Sequence, residues 1–194
     1  MAKASIEDVP RMAVRIILGF LAVSSLWMLF ISLGYLVIVA IHLPLGFGLP
    51  LSLRLVGLVS ILSGLLVLAW LVRYRRPIDI LGSTYLTFTK MIGKTRMEER
   101  SVGTEPLVVE GPYRYVRHPL YAGALLLVFG LWLSLDYSPL LATTALFLVW
   151  IYFIVTPFEE KELRAIFGQE YERYARQVAK IFPILRPISR RATT

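Results

Sequence analysis

The chain has 194 residues, of which 57% are hydrophobic and 18% charged, with a mean hydropathy of +0.66 and a net charge of +8. This composition excludes an ordinary soluble domain and indicates a single integral membrane domain over residues 1–194. The absence of cysteine excludes disulfides and a thiolate nucleophile, and the two histidines, His42 and His118, lie too far apart to indicate a metal centre.

The first half of the chain contains a long uncharged stretch. Residues 16–53 hold no Asp, Glu, Lys or Arg, which is more than one membrane span needs, since a spanning helix takes about 20 apolar residues. The turn-forming run Pro44-Leu45-Gly46-Phe47-Gly48-Leu49-Pro50 divides it. We therefore predict span one over residues 12–41 and span two over residues 51–72.

The second half predicts two more spans. Pro119 suits the first turn of a helix, so span three is predicted over residues 119–135. After a short turn, span four covers residues 140–156, and Pro157 is expected to break or kink the helix there. Residues 158–178 read as an amphipathic cytosolic helix interrupted at Gly168.

Residues 78–92 are too short and too polar for a further crossing, and we expect them to lie in the interface or form a short re-entrant helix. The predicted fold class is thus an all-α integral membrane bundle. It has four full spans, a possible short fifth or re-entrant helix, and a cytosolic C-terminal helical lobe.

The basic residues are distributed asymmetrically about these spans. Of the 21 Lys and Arg residues, 20 fall on one predicted side, and Arg54 is the exception. By the positive-inside rule, both termini and the segments flanking spans three and four face the cytoplasm. The positive charge is thus interpreted as topology and binding of anionic lipid headgroups, and nucleic acid is not expected as a partner.

Two polar segments stand at the cytoplasmic edge of the bundle. The first reads Gly111-Pro112-Tyr113-Arg114-Tyr115-Val116-Arg117-His118-Pro119-Leu120-Tyr121-Ala122-Gly123, and the second begins Pro157-Phe158-Glu159-Glu160-Lys161-Glu162-Leu163. Ionisable groups beside a span are costly to desolvate and often mark a site. A ligand carboxylate would suit the helix N-terminus after His118, and a carboxylate of the second segment would suit a ribose or amine.

Simpler explanations remain open for the same residues. His118 could cap a helix while Tyr121 sits in the aromatic belt, and Glu159 could stabilise a solvated helix N-terminus. Arg117 could anchor a lipid phosphate or hold a carboxylate through two hydrogen bonds.

Together, the two segments resemble the isoprenylcysteine carboxyl methyltransferase family of integral membrane enzymes, with Arg-His-Pro-x-Tyr-x-Gly followed by Glu-Glu and Tyr-x-x-Tyr. The resemblance covers about residues 98–185. It implies that residues 98–121 and 157–178 enclose S-adenosylmethionine. The implied cofactor contacts are Glu98, Glu105, Pro106, Leu107, Val108, Tyr113, His118, Pro119, Leu120, Tyr121 and Glu159.

The implied function is methyl transfer from S-adenosylmethionine to a lipophilic or prenylated acceptor, expected to be a prenylcysteine-like carboxylate. Arg117, Tyr152 and Val155 are the candidate acceptor-binding residues. No catalytic residue is required, because the reaction depends on positioning, although an amine acceptor would give His118 or Glu160 a role as base. Family members that act on prenylcysteine carry an arginine near the end of the last span, and residues 150–156 hold none.

Two alternatives belong to other classes of protein. Membrane sterol reductases resemble this C-terminal region and bind NADPH, although two glutamates at the pocket suit a neutral ribose better than a 2′-phosphate. A non-catalytic lipid-binding subunit would use the basic face for headgroups alone. A soluble methyltransferase fold is not expected, since no Gly-x-Gly-x-x-Gly follows a strand.

Overall fold

A computed structural model describes residues 8–77, 80, 87, 90–91, 93 and 106–183. Within this part of the chain the fold is all-helical, with an isolated backbone bridge between Val116 and Ala179 and no strands. The expected interfacial or re-entrant segment, residues 78–92, lies largely outside the described residues.

Two long apolar helices form the first half. Helix α1 covers Asp8–Ala40 and α2 covers Leu51–Leu71. Pro50 lies just before α2 in an extended conformation. Proline is tolerated at this position, whereas inside the helix it would remove a backbone hydrogen bond. The helices begin and end within four residues of the ranges predicted for spans one and two.

The described residues group into two compact units. One contains α1 up to Leu29 and the described residues from Arg75 to Gly93. The other contains Phe30–Tyr74 and the described residues from Pro106 onward, which include both polar segments. The sequence predicted a single domain over residues 1–194, and this stays a prediction.

The second half begins with a short 3₁₀ helix, Gly111–Arg114, followed by α3, Pro119–Leu135. Helix α4, Ser138–Trp150, leads into a π-helical segment, Ile151–Val155, and then into α5, Thr156–Phe167. Gly168, with φ of +53°, separates α5 from α6, Gln169–Gln177. The interruption expected at Gly168 therefore divides the C-terminal segment into two helices.

Of the break or kink expected at Pro157, the break is wrong, because the helix continues without interruption from Ser138 to Phe167. Proline lacks an N–H and its ring crowds the carbonyl four residues earlier, here that of Phe153. The π-helical segment holds that carbonyl and ends just before Pro157. Widening the turn is a way to relieve such crowding without ending the helix.

Three helices are long and apolar enough to cross a membrane by length and composition: Ile17–Ala40, Leu51–Leu71 and Ser138–Phe167. Helix α3 is apolar but shorter, and its 17 residues extend about 26 Å against a hydrocarbon core of about 30 Å. The described part of the chain thus has three candidate spans and one shorter apolar helix, and four full crossings stay a prediction.

Helices α2 and α3 pack antiparallel with their backbones in close approach. A Cβ atom added to Gly130 would lie 2.6 Å from the carbonyl oxygen of Gly57, and one added to Gly64 would lie 2.8 Å from the carbonyl oxygen of Gly123. Small residues allow such contact where no hydrophobic effect drives helices together. This pairing holds the N-terminus of α3 beside the end of α2.

The opposite end of the bundle is organised by Asp136, which follows α3 in the left-handed conformation. Its carboxylate accepts hydrogen bonds from the backbone N–H groups of Phe47 (3.0 Å) and Leu49 (2.9 Å), and Arg54 lies 3.4 Å away. These bonds satisfy backbone groups of the loop between α1 and α2. The loop is therefore tied to the α3–α4 turn.

Candidate functional site

The two polar segments meet through backbone pairing. The N–H of Arg117 donates to the carbonyl of Ala179 at 2.8 Å, and the N–H of His118 donates to the carbonyl of Lys180 at 3.0 Å. Tyr174 donates its hydroxyl proton to the carbonyl of Tyr113 at 2.7 Å. The chain following α6 is thereby fastened to the chain preceding α3.

Arg117 lies between the two segments as a largely buried cation. Its Nε and Nη2 atoms donate to Oε1 of Glu160 at 3.1 and 2.7 Å, while Nη1 donates to the carbonyls of Ala175 and Val178. Four of its five N–H groups are used within the protein. In this conformation Arg117 fixes the end of α6 against α5.

His118 stands between two carboxylates. Its Nδ1 is 3.2 Å from Oε2 of Glu159, and its Nε2 is 3.5 Å from Oε1 of Glu160. The second separation is too long for a good hydrogen bond, and the buried Nε2 has no hydrogen-bond partner in the described part of the chain. The imidazole thus has one nitrogen in a close contact with Glu159 and the other in a longer ion-pair contact with Glu160.

Tyr121 reaches the same carboxylate from α3. Its hydroxyl donates to Oε1 of Glu159 at 2.7 Å, and its ring stacks on the His118 imidazole with 5.8 Å between centroids. One turn of α3 therefore presents an aromatic face and a hydroxyl to the first turn of α5. Glu159 stays partly exposed, with 22% of its side chain accessible.

The electrostatics of the cluster favour the charged forms. Burial raises the pKa of Glu160, but the neighbouring His118 imidazole, the hydrogen bonds from Arg117 and the charges of Arg117 and Lys180 lower it to about 2. Burial lowers the pKa of His118, but the close contact with Glu159 and the negative charges of Glu159 and Glu160 outweigh burial and raise it. A protonated imidazole between two ionised carboxylates is the favoured state.

An aromatic cluster formed by α6 and the residue after it packs beside these charges. Tyr171, Tyr174 and Val178 are buried, and the partly buried residues packed against them are Leu107, Val109, Leu163, Phe167 and Ala175. Burial raises the pKa of both tyrosines, which therefore stay neutral. The Tyr171 hydroxyl is buried and has no hydrogen-bond partner within the described residues.

The remaining predicted site residues are spread around this cluster. Leu107 packs on the aromatic cluster, whereas Pro106 is exposed and Val108 half-buried. Pro119 is fully buried, Leu120 is half-buried and Val155 is 3% exposed. Tyr152 is exposed on the π-helical segment. Glu98 and Glu105 lie outside the described residues.

Two cations that sequence reasoning left out lie beside the cluster. Arg164 is 3.4 Å from Oε2 of Glu160, one turn along α5, and donates to Glu172 at 2.8 Å. Lys180 places its ammonium 4.6 Å from the centroid of the Tyr152 ring. The spacing from Glu160 to Arg164 is a helical i,i+4 signal in the sequence, but Lys180 follows no recognisable motif.

These features define an all-α protein with candidate membrane spans and a cluster of ionisable groups where α3 and α5 begin. A sequence profile described as phospholipid methyltransferase matches residues 53–170, more than half of the chain. The chain belongs to the phospholipid methyltransferase family. This confirms the resemblance to isoprenylcysteine carboxyl methyltransferases, since curated relatives carry that name.

A protein-S-isoprenylcysteine O-methyltransferase B of Arabidopsis thaliana is 36% identical over 100 residues, covering 51% of this chain and 48% of the relative. A probable enzyme of the same name from Oryza sativa is 38% identical over 80 residues, covering 41% of each. The chain therefore spans less than half the length of these plant relatives.

A methanethiol S-methyltransferase of Crocosphaera subtropica is 31% identical over 172 residues, covering 83% of this chain and 61% of that protein. No solved structure matches the chain.

Proposed function

We propose that this protein transfers a methyl group from S-adenosylmethionine to a lipophilic acceptor at the membrane. The observation that carries the proposal is the joining of His118, Tyr121 and Glu159 at the start of α3 and α5, within the region that matches the family. The acceptor group we propose first is a carboxylate, and both termini and the site are proposed to face the cytoplasm.

The residues present fit S-adenosylmethionine by their chemistry. That molecule carries a cationic sulfonium, an amine and ribose hydroxyls, all of which suit a partly exposed carboxylate such as Glu159. Within the described residues the buried Nε2 of His118 makes no hydrogen bond, and its 3.5 Å contact with Glu160 leaves it able to donate to a polar ligand atom. Tyr121 offers a ring face beside both groups.

The methyl donor supplies an already activated electrophile, so the protein's contribution is positioning and exclusion of water. Tyr121 and His118 orient the Glu159 carboxylate through two contacts to its separate oxygens. Arg117 and Glu160 hold α5 and α6 together behind it. A carboxylate acceptor is ionised near pH 7 and needs no base.

A thiol acceptor is a second candidate, favoured by the longer match to the methanethiol S-methyltransferase. A thiol must lose its proton to become a nucleophile. Glu159, the partly exposed carboxylate of the cluster, is the group placed to accept it. The two candidates predict different products, because a methyl ester is cleaved by mild base whereas a methyl thioether is not.

The test is calorimetric titration of the purified protein in detergent with S-adenosylhomocysteine, the demethylated product of the donor, and with NADPH in parallel. Saturable binding of S-adenosylhomocysteine supports the proposal. Binding of NADPH alone would favour a reductase, and binding of neither would favour a lipid-binding subunit.

Glu159→Gln is expected to weaken S-adenosylhomocysteine binding by about 1–3 kcal/mol, because it removes a charged hydrogen-bond acceptor. Glu170→Gln is the matched control, since Glu170 is exposed at the start of α6. An unchanged dissociation constant in Glu159→Gln would remove that carboxylate from the site.

A further inference from the structure

Lys180 is a cation held at the edge of the cluster. Its backbone carbonyl accepts the N–H of His118 at 3.0 Å, so the residue is fixed next to the start of α3. Its side chain extends to the π-helical segment, where the ammonium lies 4.6 Å from the centroid of the Tyr152 ring. Lys180 therefore connects the polar cluster with the surface of the last long helix.

The charge of Lys180 is engaged differently from that of Arg117. Arg117 directs four N–H groups at Glu160 and two carbonyls. Within the described part of the chain, the Lys180 ammonium has no carboxylate within ion-pair distance, and its close partner is the Tyr152 ring. A cation–π contact uses the charge but leaves the ammonium N–H groups able to meet an anion.

Exposed apolar residues flank Tyr152 and Lys180 along the chain. Tyr152 also contacts the ring of Phe153, with 5.1 Å between centroids. Phe153 and Ile154 are 69% and 50% exposed, and Phe182, two residues after Lys180, is 61% exposed. A half-buried cation bordered by exposed hydrocarbon matches an amphiphile with an anionic group and an apolar chain.

We propose that Lys180 binds the carboxylate of the lipophilic acceptor, whose hydrocarbon part lies along Tyr152 and Phe153. This inference rests on the proposed function. Residues 150–156 contain no arginine that could bind the acceptor carboxylate, and we assign that role to Lys180. Because the backbone carbonyl of Lys180 is bonded to the N–H of His118, the acceptor carboxylate would be held at the edge of the Glu159 cluster.

The experiment measures binding of N-acetyl-S-farnesylcysteine and of its uncharged methyl ester to the full chain in nonionic detergent, without cofactor. The wild-type protein is expected to bind the acid about tenfold more tightly than the ester. Lys180→Gln should abolish this preference, while Lys180→Arg retains it. Lys161→Gln removes an exposed lysine of α5 and is the matched control, expected to behave as wild type.

S-adenosylhomocysteine binding is measured in parallel and is expected to be unchanged in all three variants. An acid preference that survives in Lys180→Gln, or is absent in the wild type, would overturn the inference. Displacement of the bound acid from the wild-type protein by added phosphatidylglycerol, as effective as displacement by unlabelled acid, would also overturn the inference. It would assign Lys180 to the binding of lipid headgroups. Absence of S-adenosylhomocysteine binding in the wild-type protein would instead contradict the proposed function. The two failures are distinguishable because the preference for the acid is measured without cofactor.

Discussion

At the scale of single residues, the charges of the cluster are coupled. Glu160 faces both Arg117 and His118, and His118 faces both Glu159 and Glu160. Breaking one partner of a buried pair leaves the other uncompensated, which costs more than the intact pair contributes. The cluster therefore acts as one structural group, and substitutions at Arg117 and Glu160 are expected to be non-additive.

The raised pKa of His118 predicts that the stability of the folded protein depends on pH. Because the folded protein raises this pKa above the usual 6.5, the stabilisation is fully present below about pH 6.5 and is lost as pH rises through the folded value. The wild-type melting temperature is therefore expected to fall between about pH 6 and pH 9 relative to that of His118→Gln. Thermal unfolding of both proteins across this range measures the difference.

The pH range over which Glu160 affects the stability of the protein does not overlap with that of His118. Its lowered pKa of about 2 means that its stabilisation is present above the usual 4.5 and is lost only as the solution becomes strongly acidic. A melting-temperature difference between wild type and His118→Gln that is independent of pH above neutrality would show that the two glutamates do not raise the pKa of His118.

At the scale of elements, the helix pair α2–α3 depends on glycines seven residues apart on each helix. Gly57 faces Gly130, and Gly64 faces Gly123. Without side chains at these positions, backbone meets backbone, and the contact cannot adjust by a change of rotamer. This pairing aligns the start of α3 and hence Tyr121.

Gly130→Ala is expected to destabilise the protein by about 1–3 kcal/mol, because the new methyl group would lie 2.6 Å from the carbonyl oxygen of Gly57. The change is measured by thermal unfolding in detergent. Ala145→Val, at an exposed position of α4, adds bulk where nothing is displaced and serves as the control. Equal stability of Gly130→Ala and wild type would mean that α2 and α3 do not pack this closely.

At the scale of the whole molecule, topology decides which compartment supplies the polar substrate. The 20 basic residues on one predicted side lead us to predict that the cluster faces the cytoplasm, while the loop tied to Asp136 lies at the other end of the bundle. The methyl donor would then approach from the cytosol and the lipophilic acceptor from the bilayer.

The chain has no cysteine, so single introduced cysteines report this topology without background. In intact cells, Leu45→Cys in the exposed α1–α2 loop is expected to react with an impermeant maleimide. Arg176→Cys, exposed on α6, should react only after permeabilisation. The reverse pattern would invert the topology and contradict a cytoplasmic site.

Local properties of the sequence were enough to predict the helices. The range predicted for span three, residues 119–135, coincides with α3, because Pro119 can begin a helix and Asp136 can adopt the left-handed conformation that ends one. Hydropathy predicted α1 and α2 to within four residues at either end. The same reasoning allowed a break at Pro157 that the structure does not have, since a π-helical widening, which depends on surrounding packing, carries no signal of its own.

The sequence by itself determined the membrane class, the helices and the motif residues, because hydropathy, proline and charge act over a few residues. Only the tertiary structure decided which of those residues meet. The pairing of Val116 with Ala179, the engagement of Arg117 by Glu160 and the position of Lys180 over Tyr152 join residues about 28 to 63 apart in the chain. Such contacts are selected by the geometric fit of whole helices, for which no local pattern exists.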